Sequence, residues 1–106
     1  MSNPESERIL ARRQHVGDKR YILVICDESI IGQIFEEGNK ILDLTVSFYK
    51  GEPIDEEELL KAMKKAYILN ITGKHSIEFV QKNGFFTDND KILIIQDVPH
   101  IECMLI

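Results

Sequence analysis

Three short segments place polar side chains at the ends of apolar stretches. They are Cys26-Asp27-Glu28, the segment from Asn70 to Lys74, and Val98-Pro99-His100. Folds commonly carry functional groups on the loops that follow rigid elements. A cysteine thiolate, with a histidine as base and a carboxylate or amide to orient it, would be an activated nucleophile. The candidate catalytic residues are therefore Cys26, Asp27, Asn70 and His100, provided that their segments are adjacent in the fold.

Each of these residues also has a structural interpretation. Cys26 and Cys103 lie in apolar stretches, where a free thiol behaves as a small hydrophobic side chain. Asn70 can cap a helix, and His100 can bond its own turn. The sequence has no phosphate loop, dinucleotide motif, zinc-protease motif or nucleophile elbow, and no histidine has a neighbouring ligand at metal spacing. We therefore expect no metal and no cofactor, and we favour a protein that is not an enzyme.

Charge is unevenly distributed along the chain, whose formal net charge is -5. Residues 1–20 carry five basic and three acidic side chains, or +2, which leaves -7 for residues 21–106. Cations that neutralise phosphates supply most non-specific nucleic-acid affinity, so a basic strip on an acidic body can still contact RNA locally. Alternatively, basic residues on the first strand protect an exposed sheet edge from unwanted pairing. The candidate binding residues of this strip are Arg12, Arg13, His15, Lys19 and Arg20.

The hydrophobic pattern predicts one α+β domain over residues 8–106, behind a disordered leader at residues 1–7. Two consecutive helices, at about 55–69 and 74–83, would pack on one face of a mainly antiparallel sheet of about five strands. A β-meander through 30–35 and 41–46 is favoured over a helix at 29–37. The stretch 21–26 is apolar on both faces, which is typical of a central strand. The remaining strands are predicted at 9–16, 91–96 and 101–106, with a turn at 97–99.

Several short motifs occur in an order and spacing that resemble one family. They are Cys26-Asp27 followed by Gly32, Phe35 and Glu37-Gly38, then Phe48-Tyr49 with Gly51, then Asn70 with Gly73, and finally Val98-Pro99-His100. From about Arg8 to the end, the chain resembles the archaeal domain-of-unknown-function family 424. The resemblance implies an uncharacterised archaeal intracellular protein of about one domain, with a loose association with translation genes. It implies no particular activity.

Three functions fit these observations. The favoured one is a non-enzymatic binding or accessory factor of RNA–protein, translation-related machinery, in which the basic strip contacts a ribosomal or other RNA component. The second is a small enzyme or ligand-binding domain that uses Cys26 and His100. The third is a structural subunit that acts as a homodimer or with a protein partner. No apolar run approaches the roughly 20 residues of a membrane helix, and the polar N-terminus has no secretory signal, so we expect a cytoplasmic protein without membrane contact.

Overall fold

Eight strands and two helices make up the fold. The computed structural model describes residues 7–86 and 91–105. The strands are β1 (Ile9–Val16), β2 (Arg20–Asp27), β3 (Ile34–Glu37), β4 (Lys40–Asp43), β5 (Glu52–Pro53), β6 (Ile68–Thr72), β7 (Leu93–Ile95) and β8 (Val98–Met104). Six of them form one sheet in the order β5-β1-β2-β6-β8-β7, and β3 pairs with β4 in a separate hairpin. The central strands β2 and β6 are parallel, while the other neighbours in the sheet are antiparallel.

The two faces of the sheet are covered by different elements. The helices α1 (Glu56–Lys65) and α2 (Lys74–Lys82) pack on one face, where alternate residues of β2, β6 and β8 form the larger core. That core includes Leu23, Ile25, Leu69, Ile71 and Ile101 from the sheet, and Leu59, Met63, Ile77 and Val80 from the helices. The β3–β4 hairpin covers part of the opposite face through a smaller core of Cys26, Leu42, Leu44, Ile95 and Val98. The predicted α+β class, with both helices on one face, is confirmed.

The predicted helix over 55–69 is confirmed to residue 65 and is wrong over its last four residues. Asp55 caps α1 by accepting a hydrogen bond from the Glu58 amide at 2.9 Å, as the capping pattern predicts. However, α1 ends at Lys65, and the next apolar residues form β6. Their spacing continues the helical pattern of α1, but four of the five residues of β6 are buried between β2 and β8, where a strand supplies backbone partners on both sides. The sheet therefore contains a central strand that was not predicted, and this strand separates the two helices along the chain.

Smaller differences concern the hairpins. Residues 34–43 do form a β-hairpin, but it stands apart from the main sheet, and its second strand ends at Asp43 rather than at residue 46. The turn predicted at 97–99 lies at Gln96 and Asp97, both with positive φ, so that β8 already begins at Val98. β1 lies inside the sheet order, yet β5 pairs only with Leu10 and Ala11, and the rest of β1 remains on a free edge.

The predicted leader at 1–7 lies outside the described residues except for Glu7. The Glu7 carboxylate accepts hydrogen bonds from the Ser29 amide at 3.2 Å and from its hydroxyl at 2.6 Å, which fixes the chain at the start of β1. Residue 106 of the predicted last strand also lies outside the described part. Among the helices that the structure describes, none has the length and apolar character to cross a membrane.

Candidate functional site

Asp27, the last residue of β2, caps the N-terminus of α2. Its carboxylate accepts hydrogen bonds from the His75 amide at 3.0 Å, the Ser76 amide at 2.8 Å and the Ser76 hydroxyl at 2.6 Å. Helix N-termini leave amide donors unpaired and favour negative charge, so a carboxylate at this place satisfies both demands. Burial raises the pKa of Asp27, and the hydrogen bonds from Ser76 and His75 oppose that rise. The Asp27 carboxylate thus has a structural role, because its hydrogen bonds hold the end of β2 against the start of α2.

Gly73, at the N-cap of α2, makes this contact sterically possible. Its φ of 110° is a conformation that residues with a side chain rarely adopt. A β-carbon on Gly73 would overlap the Asp27 carboxyl group. Gly73 also donates its amide to the Pro99 carbonyl at 2.9 Å, which ties the helix start to β8. We call Asp27, Gly73, His75 and Ser76 the α2 cap.

Cys26 lies on the opposite face of the sheet from Asp27, because successive strand residues alternate between faces. Its side chain is fully buried in the smaller core, and burial, with the nearby Asp27 charge, raises the pKa of the thiol to about 12. The strand register places Thr72 between Cys26 and His100. Two strand spacings, or roughly 9.6 Å, separate the Cys26 and His100 backbones. His100 is therefore not placed to act as a base for this thiol.

Asn70 and His100 share the face of Cys26 but bond to other partners. The Asn70 amide nitrogen donates to the Glu102 carboxylate at 3.0 Å, and His100 Nδ1 bonds the Thr72 hydroxyl at 2.8 Å. Asn70 Oδ1 is buried and has no hydrogen-bond partner in the described part of the chain. Burial lowers the pKa of His100, while the Glu102 charge opposes that change. These side chains link β6 to β8, and no bond joins Asn70 to His100 or either of them to Cys26.

A cleft of about 510 Å³ opens where β2 and β6 end, beside the α2 cap. Charged side chains of both signs line it, among them Glu7, Lys74, Glu78 and Asp97. A second cleft of about 430 Å³ lies next to it and shares Glu7 and His75. Over residues 7–86 and 91–105, no group of three His, Cys, Asp or Glu side chains could hold a metal ion. Glu7, Asp27, Glu78 and Asp97 give the first cleft a mainly acidic lining with Lys74 as its cation, and Asp27 already occupies the His75 and Ser76 amides.

The opposite end of the central strands, where β2 and β6 begin, carries basic and aromatic side chains together. Arg13 and His15 project from the same face of β1, and β2 places Tyr21 directly opposite His15 and diagonal to Arg13. The Arg13 guanidinium carbon lies 5.6 Å from the Tyr21 ring centroid, and the His15 ring meets that ring edge-on at 5.9 Å. The Tyr21 hydroxyl donates to the Ala62 carbonyl at 2.6 Å. This hydrogen bond anchors the ring against α1.

A second pair lies at the same end of the sheet, although Arg20 and Tyr21 alternate between the two faces of β2. The Arg20 guanidinium carbon lies 4.6 Å from the Tyr67 ring centroid, and the Tyr67 amide donates to the Tyr21 carbonyl at 2.9 Å. The last turn of α1, which carries Lys64 and Lys65, ends just before Tyr67. Within the described ranges, none of the basic residues at this end has a carboxylate partner within 4.0 Å. We define the hairpin patch as Arg13, His15, Lys19, Arg20, Tyr21, Lys64, Lys65 and Tyr67.

Of the five residues that the sequence predicts for binding, four belong to the hairpin patch and Arg12 does not. Arg12 alternates to the other face of β1, where its guanidinium donates to the Gln14 side chain at 2.6 Å, so it is separated from Arg13. The aromatic members of the patch, and Lys64 with Lys65, were not predicted. Tyr21 could have been found from its position across the first hairpin, because cross-strand pairs follow from the register. Tyr67 could not, because the pattern assigned it to a helix.

Comparisons with known proteins identify the family through a family model and the fold through a solved structure. The family model described as "Protein of unknown function (DUF424)" matches residues 15–106. The chain is similar to the crystal structure of an uncharacterized conserved protein from Methanopyrus kandleri, with a TM-score of 0.75 and 21% identity over 93% of this chain and 92% of that one. At this identity the similarity shows a common fold. No match was found among curated proteins. Since the family model covers most of the chain, including the α2 cap and most of the hairpin patch, this protein belongs to the DUF424 family.

Proposed function

We propose that this protein is a non-enzymatic binding factor that contacts RNA, as part of an RNA–protein assembly such as the translation machinery, through the hairpin patch. The observation that carries the proposal is the pair of arginines, Arg13 and Arg20, stacked on Tyr21 and Tyr67 at one end of the molecule. Combined positive charge and aromatic rings are the features with which proteins bind RNA phosphates and bases.

The charge distribution supports this surface over the rest of the molecule. The patch residues Arg13, Lys19, Arg20, Lys64 and Lys65, with the neighbouring Asp18, sum to 5 - 1 = +4. The remainder of the chain then has -5 - 4 = -9. A polyanion is attracted to the patch and repelled by the remainder, so contact is confined to this end.

The alternative of a cysteine-based enzyme has less support. A reactive cysteine needs an accessible thiolate with a lowered pKa. Cys26 is fully buried with its pKa raised to about 12, and Thr72 stands between it and His100. Asp27, the third member of the predicted group, is engaged in the α2 cap.

The proposal is tested by removing charge from the patch. A variant with Arg13→Gln, Lys19→Gln and Arg20→Gln should lose at least about tenfold in affinity for ribosomal RNA fragments at moderate salt, because each phosphate contact releases counterions. Binding of the natural protein should weaken as salt rises from about 50 to 200 mM, and the variant should show a flatter dependence. Co-sedimentation with ribosomal subunits over the same salt series tests the assembly.

A matched control removes three exposed positive charges elsewhere, with Lys40→Gln, Lys50→Gln and Lys74→Gln. This control has the same net charge as the patch variant and should retain most of the RNA affinity. Equal losses in the two triple variants would show that only net charge matters, and an absence of salt-dependent RNA binding in the natural protein would refute the proposal.

A further inference from the structure

We infer that the hairpin patch selects unpaired RNA of a few nucleotides, a loop or a free single strand, over duplex RNA. This inference rests on the proposed function and names the class of RNA that the same site takes. It follows from the geometry of the two arginine–tyrosine pairs and from the extent of the basic surface.

The first argument concerns stacking. In each pair the guanidinium covers one side of a half-buried tyrosine ring, at 4.6 Å for Arg20 on Tyr67 and 5.6 Å for Arg13 on Tyr21. Both arginines are themselves exposed, so their guanidinium groups are accessible to a ligand. Nucleobases stack on such planes and on aromatic rings. A base inside a duplex is already covered on both faces by its neighbours, so only an unpaired base gains this contact.

The second argument concerns the arrangement of the two pairs. Tyr21 and Tyr67 stand at the starts of adjacent parallel strands, joined by the hydrogen bond between the Tyr67 amide and the Tyr21 carbonyl. Neighbouring strands are about 4.8 Å apart. Arg20 and Tyr21 alternate in β2, so the two pairs lie at the ends of adjacent strands rather than on one face of the sheet. A flexible strand that passes over this end can reach both pairs, whereas a rigid duplex cannot follow that path.

The third argument concerns size. Domains that bind double-stranded RNA by shape span about 16 base pairs and contact phosphates along that length. Here the patch with Asp18 carries a net charge of +4 at one end of a molecule whose longest dimension is 36 Å, whereas the rest of the chain sums to -9. A rigid duplex laid on the patch would extend past it along an acidic surface. A short unpaired segment avoids that repulsion.

Fluorescence anisotropy with the full chain separates these cases. The probes are a labelled unstructured RNA of about 10 nucleotides, the same strand annealed to its complement, and a hairpin that carries the sequence in its loop. We expect the single strand and the loop to bind at least about tenfold more tightly than the duplex, since one stacked base contributes that much. The slope of log affinity against log salt for the single strand should be about -2 to -3, corresponding to three or four phosphate contacts.

Two charge-conserving variants test the stacking itself. Arg20→Lys keeps the charge but loses the planar group, and should weaken binding of the single strand by about fivefold or more while leaving duplex binding unchanged. Arg12→Lys, outside the hairpin patch and bonded to the Gln14 side chain, is the matched control and should change neither. If the duplex binds as tightly as the single strand, or if the two variants behave alike, this inference is overturned and the RNA-binding proposal stands. If no RNA form binds, both are refuted.

Discussion

The two ends of β2 and β6 differ in the burial and hydrogen bonding of their charged side chains. At the end where the strands finish, Asp27 is 4% exposed and accepts three hydrogen bonds from the start of α2. At the end where they begin, Arg13 and Arg20 are exposed and stack on tyrosines without a carboxylate partner in the described ranges. The polar groups at the first end are hydrogen-bonded within the protein. The positive charges at the other end remain available to a binding partner.

This difference helps to separate stabilising residues from candidate binding residues. Buried polar groups must find partners within the protein, and a group that has found them has little left to offer a ligand. Exposed charges contribute little to folding, so their clustering calls for another explanation. The α2 cap therefore belongs to the stability of the domain, and the hairpin patch is the better candidate for function. The comparison predicts that substitutions at the two ends differ greatly in their effect on the free energy of unfolding.

The largest effect is expected for Gly73→Ala. The backbone of Gly73, with φ of 110° and ψ of 149°, is in a region open almost only to glycine, and the new methyl group would overlap the Asp27 carboxyl group. We expect a loss of about 4 kcal/mol in the free energy of unfolding, from backbone strain and overlap together, measured by urea denaturation. Gly84→Ala is the control, since Gly84 also has positive φ but no atom near its added methyl group, and should cost about 1 kcal/mol.

The double variant shows whether the overlap with Asp27 matters. In a background that carries Asp27→Ala, the overlap is relieved, so Gly73→Ala should cost less there than in the natural protein. Equal costs in the two backgrounds would mean that Asp27 and Gly73 are independent, contrary to the geometry of the α2 cap.

The next effect is expected for Asp27→Ala. The substitution removes three hydrogen bonds to a carboxylate and leaves the Ser76 hydroxyl buried without its acceptor, so the free energy of unfolding should fall by about 3 kcal/mol. Asp55 caps α1 in the same manner but at the exposed surface, and Asp55→Ala should cost only about 1 kcal/mol. Chemical denaturation of both variants measures the contrast. Asp27→Asn keeps one acceptor oxygen, so its loss in the free energy of unfolding should lie between those of Asp27→Ala and Asp55→Ala.

The outcome that would contradict this contrast is an equal loss for the two alanine variants. It would mean that burial adds nothing to the contribution of the Asp27 cap. Stabilisation by Asp27→Ala would be a stronger contradiction, because it would mean that the cost of burying the carboxylate exceeds all that its hydrogen bonds contribute.

The sequence predicts the first hairpin, the starts of both helices and the fold class, because those depend on local patterns. It does not predict β6, because Tyr67 to Ile71 continues the spacing of α1 and becomes a strand only through pairing with β2 and β8. That one error conceals much of the candidate site. Without β6, Thr72 cannot be placed between Cys26 and His100, and Tyr67 cannot be placed beside Tyr21.

Alternation of side chains explains the rest of the gap between sequence and structure. Cys26 and Asp27 are neighbours in the chain but face opposite sides of the sheet, and the same holds for Arg12 and Arg13. Such residues are adjacent in a sequence motif, but in a strand their side chains project to opposite faces of the sheet. The four predicted catalytic residues therefore could not form a single cluster once the segment 26–27 became part of a strand.

The smallest effect on stability is expected at the hairpin patch. Arg13→Gln with Arg20→Gln removes two exposed cation–π contacts, each of which contributes about 0.5 kcal/mol or slightly more, and breaks no ion pair of the described residues. The pair of substitutions should therefore lower the free energy of unfolding by only about 1 kcal/mol. The same urea measurement should give a loss well below that of Asp27→Ala. A loss of about 3 kcal/mol or more would show that these arginines stabilise the fold as strongly as Asp27 does, and the contrast between the two ends would then disappear.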